Sequence, residues 1–539
     1  MAEHHAAPSF VSTFAGSLPN RMAGLCVTGL LLAGCATGDI APPVGDIDLE
    51  TRDVLTQTIE LLDTRYIDPL TPEQIVVNAL DGLTGIDPKI GVEMTPEHVA
   101  LRYDGRDLDI LPLPDMQKED SSSGMWADVV LRGLAQFRLH SPMLRLSPDA
   151  TIQARLIDGA MTGLDRYSRY EGPEQARNAR NRREGYIGIG VRLVGGNGYP
   201  LVKLVHDNGP AIKAGLQIGD QIISIDGIDL YNQSSLFASD LLQGKADSIA
   251  ELEINPAGSN RIKTIQVVRE RVIAPTVFTA LRRNVVVARI TGFNNDTARS
   301  LAAAIDTTRK NNNGHLAGVV MDLRGNRGGL LQQGVDVADL FLAGGPIGNT
   351  HARISAARHV FEANEADLIN GAPLVVLIDG NTASSAELVA AALQDRGRAV
   401  LVGSTSFGKG SVQAINDLIN SGTLTFTWSR LSAPSGYTFD RIGLHPAICT
   451  VDIPADDIDI LMQNAVAGKK KLDALMVAWR HTNYSDEQTR RTLRDTCPPG
   501  KTAGELDVDV AVKLIENISN YNMLSVKSDT EIADTNLFH

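Results

Sequence analysis

Four textures of apolar and polar positions succeed one another along the chain. From Leu49 to about Gly185 apolar residues recur mainly at helical spacing, with polar breaks at 103–124. At 186 the texture shortens. The runs "GYIGIGVRLV", "YPLVKLVHD", "GDQIISIDGIDL", "IAELEI" and "KTIQVVRE" alternate apolar and polar residues between glycines, as half-buried strands do. One helical turn, "GPAIKAGL" (209–216), sits between the second and third, so 186–275 predicts a compact β-rich module. From 276 the runs "VVVARIT", "LAGVVMDLRG", "APLVVLIDG" and "AVLVGSTS" are almost continuously apolar, the mark of parallel strands buried on both faces. Helical patterns such as "TARSLAAAIDTTRKN" and "SAELVAAALQDRG" lie between them. From about 456 the pattern is helical again, broken by "CPPGKT" (497–502).

The expectation is a multidomain α/β plus β protein: a helical N-terminal domain at 49–185, a β-rich module at 186–275, an α/β core at 276–455 and a helical C-terminal extension at 456–539. Two segments of the first domain echo each other, "ALDGLTGIDPK" (79–89) and "LIDGAMTGLDRYS" (156–168), and predict similar helix endings. Composition changes this picture little. At 43% hydrophobic and 21% charged residues the chain of 539 has an ordinary globular balance, and its net charge of −14 opposes nucleic-acid binding.

The N-terminus changes it more. An apolar run, "AGLCVTGLLLAG" (23–34), is too short to span a bilayer and ends in "LLAGC", which reads as an export signal over 1–34. The stretch resembles a bacterial lipobox. That implies a lipidated Cys35, a tether over 35–48 and a periplasmic protein anchored to a membrane, the outer rather than the inner. Of the four cysteines only Cys449 and Cys497 then remain, an even pair that suggests one disulfide in an oxidising compartment; two separately buried thiols fit the sequence as well.

Candidate chemistry gathers after 379. "LVGSTSFGKGSVQ" (401–413) comes near a phosphate-binding loop, but Gly410 stands where that loop needs a hydroxyl after its lysine. "DGNTASSAELVAAALQDRG" (379–397) puts Ser384 at a strand-to-helix turn, with Glu387 completing a capping box. Such a serine also lies at the helix's positive end, where backbone N–H groups can hold an oxyanion. The G-x-S-x-G elbow is absent, and His315, His351, His359 and His445 show no relation to Ser384. Lys409 follows 25 residues on, after the next strand, and a lysine acts as a general base when burial lowers its pKa.

"NTASSAELVAAALQDRGRAVLVGSTSFGKGSVQ" resembles the active-site segment of the carboxyl-terminal processing (tail-specific) proteases. The resemblance implies Ser384 as nucleophile, Lys409 as base and Gln413 as the residue that orients the amine, with Ser385 as fallback nucleophile. "VVMDLRGNRGGLL" (319–331) resembles the family's oxyanion-hole segment and implies backbone donors at Gly328 and Ser385. Arg327, Ala386 and Ala447 depart from the family's usual residues without removing a catalytic group. The module at 186–275 resembles that family's PDZ domain, "YIGIG" being its carboxylate-binding loop, with Ile187, Gly188 and Ile189 facing a peptide's C-terminus. Implied partners are protein or peptide substrates held by their C-terminus, the membrane through the anchor, and an adaptor protein. Neither metal nor cofactor is implied. A catalytically silent PDZ scaffold and an ATP-dependent switch are the rival readings.

Overall fold

The computed structural model describes residues 46–525, apart from 115–121, 208, 260, 365–366, 455–456, 484 and 501–503. The expected export signal and Cys35 lie outside the described residues. A helix, Asp46–Arg65, starts inside the stretch read as a tether.

In the N-terminal region the helices Asp46–Arg65, Pro72–Asp81, Ser123–His140 and Asp149–Ala160 share one core that includes Leu55, Leu80, Trp126, Phe137 and Leu156. Thr71 caps the second helix through a capping box, and Pro72 occupies its first turn, where no backbone donor is needed. The two echoing segments meet at their glycines. A Cβ on Gly82 would lie 2.8 Å from the Gly159 Cα, and one on Gly159 would lie 2.4 Å from the Asn78 carbonyl oxygen. Only glycine lets these backbones approach so closely. The region is not purely helical, however. Residues 90–112 form an antiparallel meander of Ile90–Met94, His98–Tyr103 and Arg106–Pro112. Its second turn is Asp104-Gly105, with φ of 53° and 76°, a hairpin signal that a reading as polar breaks passes over.

The β-rich module contains a sheet in the order 263–268, 249–255, 221–225, 201–205, 191–194. Val191–Val194 is thus an edge strand, and the helix Ser235–Leu242 packs beside it. A short pairing of Tyr186–Gly188 with Glu270–Val272 joins the module's two ends.

The α/β core is a sheet in the order 277–282, 285–290, 318–322, 374–378, 400–403, 448–449, parallel after the first pair. Successive side chains of its strands feed two separate cores. Val319 and Met321 face the helices of the core domain, among them Ser385–Asp395, whereas Val320 faces the helix Leu506–Glu516. The C-terminal extension, featureless as a motif, is therefore the second cover of a sheet that has no polar face. Arg324 pins it by bonding Asp322 at 2.8 Å and Asp507 at 2.9 Å, all three side chains nearly buried. Among the described residues no helix is long and apolar enough to cross a membrane.

Cys449 and Cys497 are joined in a disulfide, one of the two arrangements open to the sequence. The bond seats 497–500 against the loop after Val400–Gly403: Thr405 Oγ1 donates to the Cys497 carbonyl at 2.6 Å, and Ser404 Oγ to the Gly500 carbonyl at 3.1 Å. Closing a loop of 48 residues stabilises by about 4 kcal/mol on the chain-entropy account. Cys497→Ser is expected to lose that order of stability in denaturant unfolding, and the native protein should show no alkylatable thiol at either position.

Candidate active site

Three neighbouring parallel strands, Gly318–Asp322, Leu374–Ile378 and Val400–Gly403, end on one side of the sheet. The loops that follow carry Gly328, Ser384 and Lys409. Crevices at the carboxyl ends of such strands are where open α/β sheets bind ligands.

The turn before Ser384 is rigid. Asp379 Oδ1 accepts from the backbone N–H groups of Gly325, Asn381 and Thr382, each at 3.0 Å, and the Ala383 N–H donates to the Asn326 carbonyl at 2.9 Å. This tension ends in Ser384 itself, which has φ 61° and ψ −124°. A non-glycine residue there carries about 1–3 kcal/mol of strain. The strain presents a half-buried serine at the N-terminus of the helix Ser385–Asp395, at its positive end.

Glu387, read from the sequence only as a capping partner, has a larger part. Its fully buried carboxylate takes the Ser384 N–H at 2.9 Å and the Lys409 N–H at 2.8 Å on one oxygen. The other oxygen takes the Gly408 N–H at 2.7 Å and Ser406 Oγ at 2.5 Å. Burial pushes this carboxyl above the usual range, and the four donors pull against that. Because Ser384 and Lys409 share one acceptor atom, their amide nitrogens lie within the sum of those two distances of each other. Gly410, the residue that spoils the phosphate-loop pattern, is a packing requirement. A Cβ there would meet the Asp440 Cβ at 2.7 Å and its nitrogen at 2.8 Å.

The Lys409 amine rests on the Tyr167 ring, 4.6 Å from its centroid. Arg166 lies over the same ring at 4.8 Å and over Phe407 at 5.3 Å. Burial lowers the amine to about 8, and Arg169 and Arg166 push the same way against Asp165 and Glu387. Tyr167 and both arginines come from "LDRYSRY" (164–170), which begins in the second echo and runs just past it, and neither motif nor spacing ties that segment to this lysine. A cavity of about 780 Å³ is lined by Tyr167, Phe407 and Ser411 together with Arg490 and Arg494 of the C-terminal extension, whereas Lys409 and Ser384 are not part of its lining.

Several expected partners are placed differently. Gln413 donates to Ser411 Oγ at 3.0 Å and Thr427 Oγ1 at 3.2 Å, and no hydrogen bond joins it, or Ser384 Oγ, to the Lys409 amine among the described residues. The strand Ser411–Asp417 turns that side chain along its own sheet. The Gly328 N–H, expected as an oxyanion donor, donates a hydrogen bond to Asn326 Oδ1 at 2.8 Å in an Asx turn. Gly328 itself lies against the serine, for a Cβ on it would be 2.9 Å from the Ser384 Cβ. Ser385 is 1% exposed and its hydroxyl has no partner among the described residues, so as a fallback nucleophile it is out of a substrate's reach. In the β-rich module Ile187 and Gly188 sit in the short pairing that joins its ends, whereas the Ile189 side chain is wholly buried in the module's core. It cannot touch a bound peptide's side chain. His445 is buried against Trp479, held neutral by burial with its pKa down at about 4, and is no part of the site.

Fold and site together define a serine-type peptidase with an attached peptide-binding module. Residues 284–450 match peptidase family S41, and residues 179–255 match the PDZ domain. A carboxy-terminal-processing protease of Bartonella bacilliformis is 36% identical over 315 residues, 58% of this chain and 72% of the relative. A carboxyl-terminal-processing protease of Picosynechococcus is 31% identical over 302 residues, 53% of this chain and 70% of the relative. A photosystem II D1 C-terminal processing protease of known structure aligns with 75% of this chain and 92% of its own, at 24% identity and a TM-score of 0.38. The chain belongs to the carboxy-terminal-processing proteases of peptidase family S41.

The environment of Lys409 makes a direct prediction. In protein carrying ¹³C-labelled lysine, the Lys409 side chain should titrate at about 8, below the ordinary lysine value of 10.5. Tyr167→Ala, which lets water reach the amine, should move that titration upward.

Proposed function

We propose that the chain is an endopeptidase whose working groups are Ser384 and Lys409, and that the PDZ domain delivers substrates by their C-termini. One observation carries the reading: Lys409, whose N–H shares a Glu387 oxygen with the N–H of the strained Ser384, is half-buried and has its pKa lowered to about 8, as a general base requires. In the reaction proposed, the Lys409 amine leaves the Tyr167 ring and takes the proton of Ser384 as Oγ attacks the scissile carbonyl carbon. The resulting ammonium gives that proton to the leaving amine as the C–N bond breaks. Water then enters, loses a proton to Lys409 and attacks the acyl-serine, and Lys409 returns that proton to Ser384 Oγ as the ester bond breaks, releasing the acid product. The Ser385 N–H would stabilise the oxyanion together with Gly328, whose N–H must first leave Asn326. Gln413 would join only if its side chain turned from Thr427 toward the amine. In the PDZ domain, the open edge of Val191–Val194 beside the helix Ser235–Leu242 supports capture of an extended tail as an added strand. We further propose that Cys35 is lipidated and holds the enzyme on the periplasmic side of a membrane.

A single assay tests mechanism and delivery. On an unfolded substrate with a free apolar C-terminus, Ser384→Ala and Lys409→Ala should each abolish nearly all turnover, with losses that do not add. In the unmodified enzyme kcat/KM should rise with pH through about 8, as the ammonium becomes an amine. The same substrate amidated at its C-terminus should be cleaved more slowly. Full activity in Lys409→Ala would sink the dyad, and equal rates on the two substrates would sink tail capture. For the anchor, Cys35→Ser should move the enzyme from the membrane fraction to the soluble one with its peptidase activity retained.

A further inference from the structure

We infer that Glu387 is the positioning residue of this active site, its buried carboxylate tying the turn that presents the nucleophile to the loop that presents the base. The inference rests on the Ser384/Lys409 reading above. A helix cap needs one bond, from the Ser384 N–H to Glu387 three residues on. The carboxylate makes three more, and all of them come from the lysine loop, 19 to 22 residues away in sequence: Ser406 Oγ, Gly408 N–H and Lys409 N–H. Each oxygen has two donors, and the side chain is completely buried, so water has no access to replace any of them. A bridge of this kind sets the spacing of the two loops far more narrowly than packing of apolar side chains does, because each contact has a fixed length and direction. Gln413, the residue expected to aim the amine, makes no hydrogen bond with it among the described residues.

The same carboxylate acts on the base electrostatically. Asp165 and Glu387 favour the Lys409 ammonium, whereas burial, Arg169 and Arg166 favour the neutral amine. Around Glu387 itself stand Arg494 of the C-terminal extension, Tyr437 of the segment before the last strand, and Tyr167. Removing the negative charge therefore has a sign that loss of folding lacks: Lys409 gives up its proton more readily.

Glu387→Gln tests this. Its kcat should fall on the order of a hundredfold, as a small displacement of reacting groups costs, with KM for a protein substrate nearly unchanged. The acidic limb of its kcat/KM profile should move to lower pH. Ser406→Ala removes one donor to the same carboxylate and leaves the backbone alone; it should lose about tenfold, the worth of one charge-assisted hydrogen bond, and it carries the test if Glu387→Gln does not fold. Wild-type kcat in either folded variant, or an acidic limb that stays in place in Glu387→Gln, would overturn the inference. The dyad has its own readout in Ser384→Ala and Lys409→Ala. Loss there with retention in Glu387→Gln rejects the bridge alone, whereas retention there rejects the dyad.

Discussion

A single buried carboxylate holds the working end of this protein together. Glu387 lies in the first turn of the helix Ser385–Asp395, fully buried and with four donors. Burying a charge costs several kcal/mol unless hydrogen bonds replace its hydration. Here every replacement comes from the two loops that carry the serine and the lysine. The strained backbone of Ser384 and the left-handed Gly408 (φ 85°) each turn an N–H toward that carboxylate. A backbone that must bring its N–H groups to one point from two sides has little freedom left for side chains. The neighbouring Asp440 repeats the device on a smaller scale by taking the Gly410 N–H at 2.8 Å.

The loops are stiff because what lies behind them is stiff. The sheet that ends at the site is apolar on both faces and needs cover on both. One cover comes from the core domain and the other from the C-terminal extension. The disulfide to Cys497 keeps the segment 497–500 of that extension on the loop at 404–405, just before the lysine. Arg494 reaches the Ile442 carbonyl at 2.5 Å and so holds the segment that packs under Gly408. The extension thus contributes to the geometry of the site as well as to stability.

The electrostatic surroundings of Lys409 come from the opposite end of the chain. Tyr167, Arg166 and Arg169 belong to the segment between the N-terminal helices and the PDZ domain, and the strand Arg169–Glu171 pairs with Thr423–Ser432 of the core. Arg180, on the helix that leads into the PDZ domain, bonds Asp417 at 2.7 Å on the strand following the lysine loop. The environment that lowers the Lys409 pKa is therefore continuous in sequence with the helix that leads into the PDZ domain, and a few ionic and strand contacts hold both on the core.

Much of this was legible in the residues alone. Unbroken apolar runs announce a sheet buried on both faces, because no half-exposed strand tolerates them, and the order of elements follows from their spacing. Ser384 and Lys409 were legible because each follows one of two adjacent strands, and the family resemblance reaches the same pair. What stayed hidden depended on distances between segments far apart in the chain. A capping box looks the same whether its glutamate closes one helix or joins two loops, so the bridging part of Glu387 had no local signal. Tyr167 is an ordinary aromatic in sequence until tertiary packing sets it over the amine. An asparagine two residues before Gly328 was visible, yet only the folded loop decides that its side chain occupies that N–H. The alternation of Ile187 and Ile189 suggested a peptide-facing pair, and the packing of the module turned Ile189 into its core. Local pattern determines which elements form. The meeting of donors with acceptors across elements is settled only by the packed chain, since those contacts depend on positions that no window of sequence contains.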